Sequence, residues 1–154
     1  MRIVSLLPSA TEIAVSLGLG PELVAVSHEC DHPPTVVDDL PKITSGMDLD
    51  GFDPAAIDTA IVEAVNAGRA IYQIDGELLV DLAPDLILTQ GICDVCAVDE
   101  AEVGRTLKML PDVLHDVATV TLSGATWEGI LHDIIVVGTA TAHENHAAAI
   151  TDLL

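Results

Sequence analysis

The chain has 154 residues, of which 25 are acidic and five are basic, so its formal net charge is −20. This charge argues against nucleic acid and anionic membranes as partners, because both bind cationic surfaces. Half of the residues are hydrophobic, which is typical of one globular domain and not of a disordered chain. The acids are spread along the whole chain and lysine occurs only at Lys42 and Lys108. This pattern predicts a solvated acidic surface suited to high salt, that is, a halophilic protein.

Strand-like and helix-like segments alternate along the chain. The strand-like segments cover residues 2–7, 22–27, 42–45, 70–74, 86–89 and 117–122. Apart from the very short segment 42–45, they are mainly apolar along their length and not only at every second residue. Helical spacing follows Pro8 as far as Gly18, runs again from Asp53-Pro54 to Gly68, recurs between Gly76 and the proline break at Pro84, and covers roughly residues 99–109. Strands that are mainly apolar along their length, separated by helices, indicate a parallel sheet that is covered on both faces. The predicted fold class is α/β, a three-layer α/β/α arrangement with a mostly parallel sheet.

Three local features of the helices are predicted as well. Ser9 or Thr11 is expected to cap the first helix, and Asp53-Pro54 is expected to begin a later one as N-cap and first helical residue. The buried stripe of that later helix is predicted at four apolar positions, Ile57, Ile61, Val62 and Val65.

The segment from Thr126 to the last residue contains no proline and has mostly helical spacing. It is predicted to form one long C-terminal helix of nearly thirty residues. Its apolar side, including Ile130, Ile134 and Val137, is expected to be exposed and therefore to favour a homodimer.

No secretory signal is visible at the start of the chain, and the longest late apolar run is too short to cross a bilayer. As written, the sequence predicts a soluble, cytoplasmic protein.

Two loops carry possible metal ligands: "SHECDHPPTVVDD" (27–39) and "QGICDVCAVDE" (90–100). The spacing of Cys93 and Cys96 fits half of a tetrahedral zinc site, which Cys30 with His28 or His32 would complete. Both loops follow strands, so both are expected at the carboxyl edge of the sheet, where ligands bind in such folds. The alternative is that the loops are small polar segments that line a crevice, and we expect this to be their main role. Redox catalysis by the cysteine pair is disfavoured, because the surrounding acids oppose thiolate formation.

The runs "RIVSLLPSATEIAVSLGLGPELVAVSHECDHPP" and "LAPDLILTQGICDVCAV" resemble the N-terminal lobe of periplasmic-binding-protein-type components of ABC importers. The nearest group is the helical-backbone one that binds cobalamin and iron-siderophores. The resemblance implies two α/β lobes joined by a long rigid helix, with the ligand held between the lobes. Residues 1–125 would then be the N-terminal ligand-binding lobe and residues 126–154 the connector helix, with the second lobe absent from this chain.

The resemblance also implies a function. The chain would be a non-catalytic solute-binding component, or a single lobe of one, that captures cobalamin or a related corrinoid or metal chelate and delivers it to an ABC permease. It would require no cofactor and would act outside the cytoplasm at the membrane. The alternative is a stand-alone intracellular protein in which Cys30, Cys93, Cys96 and His28 or His32 hold zinc, structurally or for hydrolysis with Glu29 as the general base.

In such a lobe the ligand site consists of the loops that follow the strands. The expected ligand-binding residues are Pro8, Ser9, Ala10, Ser27, His28, Glu29, Ser45, Gly46, Met47, Gln90, Gly91, Ile92 and Cys93. The first three lie at a helix N-terminus, where free N–H groups suit anionic or amide oxygens. Glu77 matches the acid with which the family docks onto its permease.

Overall fold

The structure is a computed structural model that describes residues 1–92, 97–110, 114 and 116–154. The strands are β1 (Ile3–Ser5), β2 (Leu23–Val26), β3 (Thr44–Gly46), β4 (Tyr72–Ile74), β5 (Leu86–Gln90) and β6 (Ala118–Leu122). The helices are α1 (Pro8–Ser16), α2 (Pro34–Val37), α3 (Pro54–Asn66), α4 (Gly76–Leu82), α5 (Glu100–Met109), α6 (Trp127–Ala140) and α7 (Glu144–Thr151). The predicted strands and helices are thus present up to residue 125, with ends that differ by one to three residues.

The main sheet has four strands in the order β2-β1-β5-β6, and all of its neighbouring pairs are parallel. β3 and β4 form a separate antiparallel pair, which a backbone bridge between Val26 and Lys42 joins to the end of β2. The α/β prediction with a mostly parallel sheet is confirmed. The direction of β4 is the exception, because this strand runs back along β3 instead of extending the parallel sheet.

Helices cover both faces of the sheet. Ile3, Leu86, Leu88 and Leu122 face one layer, in which they pack with residues of α1, α6 and α7. Val4 and Ile87 face the other layer, in which they pack with residues of α4 and α5. Because successive side chains of a strand point to opposite faces, a strand that is buried on both sides is mainly apolar, and the buried Ser5 and Thr89 of β1 and β5 have hydrogen-bond partners.

α3 begins as predicted but packs differently. The Asp53 carboxylate accepts a hydrogen bond from the Ala56 N–H at 2.8 Å, as an N-cap does. The predicted buried stripe is wrong, because α3, which the structure describes in full, buries only Ala64, and Val62 and Val65 are 49% and 50% exposed. The helix connects β3 to β4 at the rim of the sheet, where nothing in the two core layers covers it.

The predicted cap of α1 is also wrong. Its N-cap is Leu7, which makes no side-chain capping bond, and Pro8 is the first helical residue. Ser9 and Thr11 lie inside the helix, and the Thr11 hydroxyl donates to the buried Ser5 hydroxyl at 2.8 Å. A proline at the first helical position has no N–H that needs a partner, so the helix starts without a polar cap.

The terminal segment is two helices, and the prediction of one long helix is wrong. The Thr141 hydroxyl donates to the Val137 carbonyl at 2.8 Å, Ala142 adopts a left-handed φ of 58°, and the His143 N–H bonds the Gly138 carbonyl at 2.7 Å. α7 therefore folds back against α6. Within the described part of the chain, the helices are all too short or too polar to cross a membrane.

The apolar side of this segment is mostly covered. Ile134 and Val137 belong to the core layer that includes α1, whereas Ile130 is 43% exposed. The surface on which a homodimer was expected is therefore smaller than the sequence indicates, and dimerisation itself stays a prediction.

Replacing Gly138 with alanine is expected to lower the free energy of unfolding by about 1–3 kcal/mol. A methyl group at this position would lie 2.5 Å from the Ala147 Cβ and 3.3 Å from the His143 carbonyl oxygen, so α6 and α7 would have to separate. Urea denaturation measures the change. Gly104→Ala is the matched control, because a methyl group there meets nothing within 4 Å and a helical alanine gains about 0.5–1 kcal/mol over glycine. Equal effects of the two substitutions would contradict the packing described for Gly138.

Candidate functional site

The carboxyl edge of the sheet brings several predicted site residues together. Ser27, which directly follows β2, is buried, and its hydroxyl lies 2.9 Å from the Thr44 hydroxyl of β3. The Thr44 oxygen accepts the His28 N–H at 3.1 Å and lies 2.7 Å from the His28 Nδ1. The Thr44 hydroxyl, which the Ser27 hydroxyl holds in place, thereby fixes both the backbone and the ring of His28.

The other ring nitrogen of His28 faces the surface of the protein. Its Nε2 lies 3.2 Å from the Glu29 carboxylate, and the ring centroid is 5.7 Å from that of Tyr72. A side chain at Gly46 would come within 3.1 Å of this nitrogen, so a glycine leaves room for the imidazole. His28, Glu29, Gly46 and Tyr72 therefore form one cluster at the carboxyl edge.

A cavity of about 580 Å³ adjoins this cluster. It is lined by Val65, residues 68–72, residues 97–99, Ala101, Glu102 and Arg105. Tyr72 pairs with Gly46 at the end of β3, and Asp99 forms a bridge with Gln90 at the end of β5, so the cavity lies at the carboxyl edge as well. Its volume is within the range of roughly 300–1,000 Å³ that is usual for small-molecule sites.

A second cavity, of about 590 Å³, shares Asp99, Ala101 and Arg105 with the first and reaches Gly91 and Lys108. The two cavities thus lie on either side of the first turns of α5. Together they run from the His28 cluster to the loop that follows β5.

The remaining predicted site residues differ in their exposure. Ser9, Glu29, Ser45, Gly46, Gly91 and Ile92 are exposed, and Pro8 and Met47 are half-buried. The Ala10 side chain is fully buried in the core, so only its backbone can meet a ligand, and its ligand contact stays a prediction. Cys93 lies outside the described residues.

Gln90 is turned toward its own loop. The side chain is 4% exposed, and its Oε1 accepts the Ile92 N–H at 2.7 Å. This amide positions the loop after β5, and a ligand would meet Gly91 and Ile92 first.

The predicted zinc site finds no support in the described residues. No group of three or more His, Cys, Asp or Glu side chains that could hold a metal ion occurs in residues 1–92, 97–110, 114 and 116–154. Cys30 is 2% exposed and its Sγ lies 3.2 Å from the Thr11 hydroxyl, whereas His32 is exposed. Cys93 and Cys96 lie outside the described residues. The strands that lead to the two cysteine loops, β2 and β5, are not neighbours, because β1 lies between them.

Cys30 is expected to react with thiol reagents at least about tenfold more slowly than an exposed cysteine. Burial raises the pKa of its thiol above the ordinary value, so little thiolate is present at pH 8. Labelling kinetics of a Cys93→Ser/Cys96→Ser variant, in which Cys30 is the remaining thiol, would measure the rate, with the urea-unfolded chain as control. Equal rates in the folded and unfolded chains would contradict the burial of Cys30.

Arg69, Tyr72 and Arg105 line the first cavity but were not predicted from the sequence. Arg69 and Tyr72 reach the site because β4 begins at the carboxyl edge, opposite the end of β3. A strand that is assumed to be parallel would have placed them at the other end of the sheet. One signal was available, since arginine is rare in this chain.

Comparisons with known proteins agree with this architecture. No family model matches the chain. A stretch of 37 residues is 57% identical to the vitamin B12-binding protein of Vibrio cholerae, which is 24% of this chain and 13% of that protein. A possible iron-binding periplasmic solute-binding protein from Staphylococcus epidermidis has a TM-score of 0.66 and 26% identity, covering 98% of this chain and 46% of that one.

Two further solved structures show the same relation. The periplasmic vitamin B12 binding protein of Vibrio cholerae has a TM-score of 0.66 at 22% identity, over 98% of this chain and 45% of that one. A periplasmic heme-binding protein from Roseiflexus has a TM-score of 0.67 at 18% identity, over 98% of this chain and 44% of that one. The chain therefore has the fold of one lobe of the periplasmic solute-binding proteins and spans less than half the length of these structures. The resemblance noted in the sequence is confirmed at the level of the fold.

Proposed function

We propose that this chain, with its solute-binding lobe fold, is a non-catalytic component of an ABC importer that captures a corrinoid or a related metal chelate. The main support for the proposal is the cavity of about 580 Å³ at the carboxyl edge of the sheet. Ligands bind at this edge in open α/β folds. In this proposal residues 1–125 form the ligand-binding lobe, and residues 126–154 lead toward the connection to a second lobe. The protein acts outside the cytoplasm and delivers its ligand to a permease.

The chemistry at the cavity suits a planar chelate with a metal at its centre. The Tyr72 ring lines the cavity and offers contact area to a flat ligand. The His28 ring lies next to Tyr72, outside the cavity lining, at a centroid distance of 5.7 Å, so a ligand that extended past Tyr72 would meet it. A neutral imidazole nitrogen is a good ligand for cobalt or iron.

The alternative of a zinc-dependent hydrolytic protein is supported by no observation on the described residues. Glu29, its candidate general base, lies within ion-pair distance of the His28 Nε2. Neither residue belongs to a group of potential metal ligands among the described residues.

Glu77 is part of the proposal as a permease contact. It is exposed in the first turn of α4, so a protein partner can reach its carboxylate. It is one of 25 acids, and the match to the family motif is what singles it out.

The native chain is expected to bind cyanocobalamin or hemin with a dissociation constant in the micromolar range, about −8 kcal/mol. Absorbance titrations in 1 M KCl measure the affinity, because salt at this concentration screens the repulsion between charges. Ala101→Trp should weaken binding at least about tenfold, since Ala101 lines both cavities and the bulky indole would obstruct a ligand there. Ala149→Trp, an exposed position on α7, is the matched control and should bind as the native chain does.

Two results would count against the proposed function. The first is the absence of saturable binding of both compounds by the native chain. The second is an equal loss in Ala101→Trp and Ala149→Trp, which would show that binding takes place away from the cavity.

A further inference from the structure

We infer that the cavity selects anionic ligands, and that the Arg69 guanidinium binds a carboxylate at the rim of the chelate. The inference rests on the proposed function and deepens it. Within the class of metal chelates it favours those with free carboxylates over those whose rim carries only amides.

The first observation is the distribution of positive charge. The chain has five basic residues, and three of them, Arg69, Arg105 and Lys108, line the two adjoining cavities. The other two hold backbone carbonyls elsewhere. The Arg2 Nε donates to the Leu82 carbonyl at 2.6 Å, and the Lys42 Nζ donates to the Cys30 carbonyl at 2.8 Å. The three lysine and arginine side chains that do not bind these backbone carbonyls therefore all lie at the candidate site.

The second observation concerns the carboxylates at the first cavity, which already have partners. The Glu102 carboxylate accepts two bonds from Arg105, at 3.0 and 2.7 Å. The Asp99 carboxylate caps α5 and accepts the Glu102 N–H at 2.7 Å. Among the described residues, neither of these acids forms an ion pair with Arg69.

The third observation is that Arg69 has no anionic partner in the described part of the chain. The acid–base side-chain contacts found there are Glu102–Arg105 and His28–Glu29, the second of which is an ion pair only when the imidazole is protonated, although the chain has 25 acids. Arg69 is exposed, lines the cavity and makes no ion pair with any acid among the described residues. Its guanidinium is therefore accessible to a ligand in the cavity.

The backbone of Arg69 is also fixed in place. The Arg69 N–H bonds the Ala64 carbonyl at 2.9 Å and the Gly68 N–H bonds the Val65 carbonyl at 3.0 Å, while Gly68 has a left-handed φ of 64°. These are the two bonds of a Schellman motif, which ends α3. The side chain therefore leaves a rigid point at the cavity wall.

These observations together favour an anion. A protein with a net charge of −20 repels anionic ligands at long range, so it needs local cations to hold one. Guanidinium binds carboxylate through two parallel hydrogen bonds, which are stronger than bonds between neutral groups. An amide-rimmed ligand would gain much less from an unpaired arginine.

A pair of corrinoids with the same ring and cobalt tests the inference. Dicyanocobyrinic acid has free carboxylates around the corrin, and dicyanocobinamide has amides. Affinities of both for the native chain, Arg69→Gln, Arg69→Lys and Arg2→Gln are measured by absorbance titration in 1 M KCl. Arg2→Gln is the matched control, because it removes the same charge away from the cavities.

The native chain should bind the carboxylate corrinoid about tenfold more tightly than the amide one, the effect of one good charge-assisted contact. Arg69→Gln should abolish this preference without weakening the amide corrinoid, Arg69→Lys should keep part of it, and Arg2→Gln should keep all of it. Tighter or equal binding of the amide corrinoid by the native chain, or an unchanged preference in Arg69→Gln, would overturn the inference and leave the proposed function intact. If neither corrinoid nor hemin binds, the proposed function fails and the inference fails with it.

Discussion

Replacing Asp133 with alanine is expected to lower the free energy of unfolding by about 2–3 kcal/mol. Asp133 on α6 is 7% exposed, and its carboxylate accepts the N–H groups of Ser123 and Gly124 at 3.2 and 2.9 Å. Hydrogen bonds to a charged acceptor stabilise more than neutral ones, and without the carboxylate the two N–H groups lose their partner. The loop that follows β6 would then come away from α6.

Urea denaturation at pH 7 measures this change, with Asp58→Ala as control. Asp58 lies on the exposed side of α3, so its replacement removes the same charge without a buried bond. Asp133→Asn should fall between the native chain and Asp133→Ala, because the amide oxygen still accepts one bond. A loss for Asp133→Ala no larger than that for Asp58→Ala would contradict the anchoring role.

Raising the KCl concentration from 0.1 M to 2 M is expected to raise the melting temperature by about 10 °C. The net charge of −20 makes the folded chain repel itself, and the screening length falls from about 10 Å at 0.1 M to below about 3 Å. A few kcal/mol of relieved repulsion corresponds to a shift of this size, at about 2–4 °C per kcal/mol for chains of this length. Calorimetry in the two buffers measures the shift.

A variant with fewer charges separates repulsion from other effects of salt. Asp58→Asn, Glu63→Gln and Asp81→Asn together remove three exposed acids. The combined variant should melt higher than the native chain in 0.1 M KCl and gain less from added salt. A native midpoint that is unchanged or lower in 2 M KCl would contradict the halophilic interpretation of the composition.

Local signals predicted most of the elements in the first 125 residues. Asp53 and Pro54 begin α3 because a carboxylate and a missing N–H suit the first turn of a helix. Gly18 ends α1 with a φ of 85°, a conformation that glycine adopts without strain. Strands that are mainly apolar along their length predicted a sheet covered on both faces, since side chains on both sides of the strand are then buried.

The break between α6 and α7 has no comparable signal. The left-handed residue is an alanine, Ala142, where glycine or asparagine is usual. The close contact of Gly138 with Ala147 depends on the folded arrangement. A sequence pattern with helical spacing and no proline therefore predicts a continuous helix, and tertiary packing divides it.

Only part of the candidate site could be predicted from the sequence, because the rest depends on how the strands pair in the folded chain. His28 and Gly46 lie at the carboxyl edge because they follow β2 and end β3, which the order of the elements already indicated. Arg69 and Tyr72 join them only because β4 pairs antiparallel with β3. Strand direction is a property of pairing and is not encoded in the apolar run "AIYQI" itself.

Backbone amide NMR of the ¹⁵N-labelled chain tests most directly whether a metal chelate occupies the cavity at the carboxyl edge. The probes are cyanocobalamin and gallium(III) protoporphyrin, both diamagnetic, each added to saturation in 1 M KCl. Bound chelate should shift the amide signals of residues 68–72, 97–99, 101 and 102, which line the cavity, and leave those of α7 unchanged. Shifts centred on α6 and α7, or no shifts with either probe, would contradict the proposed site.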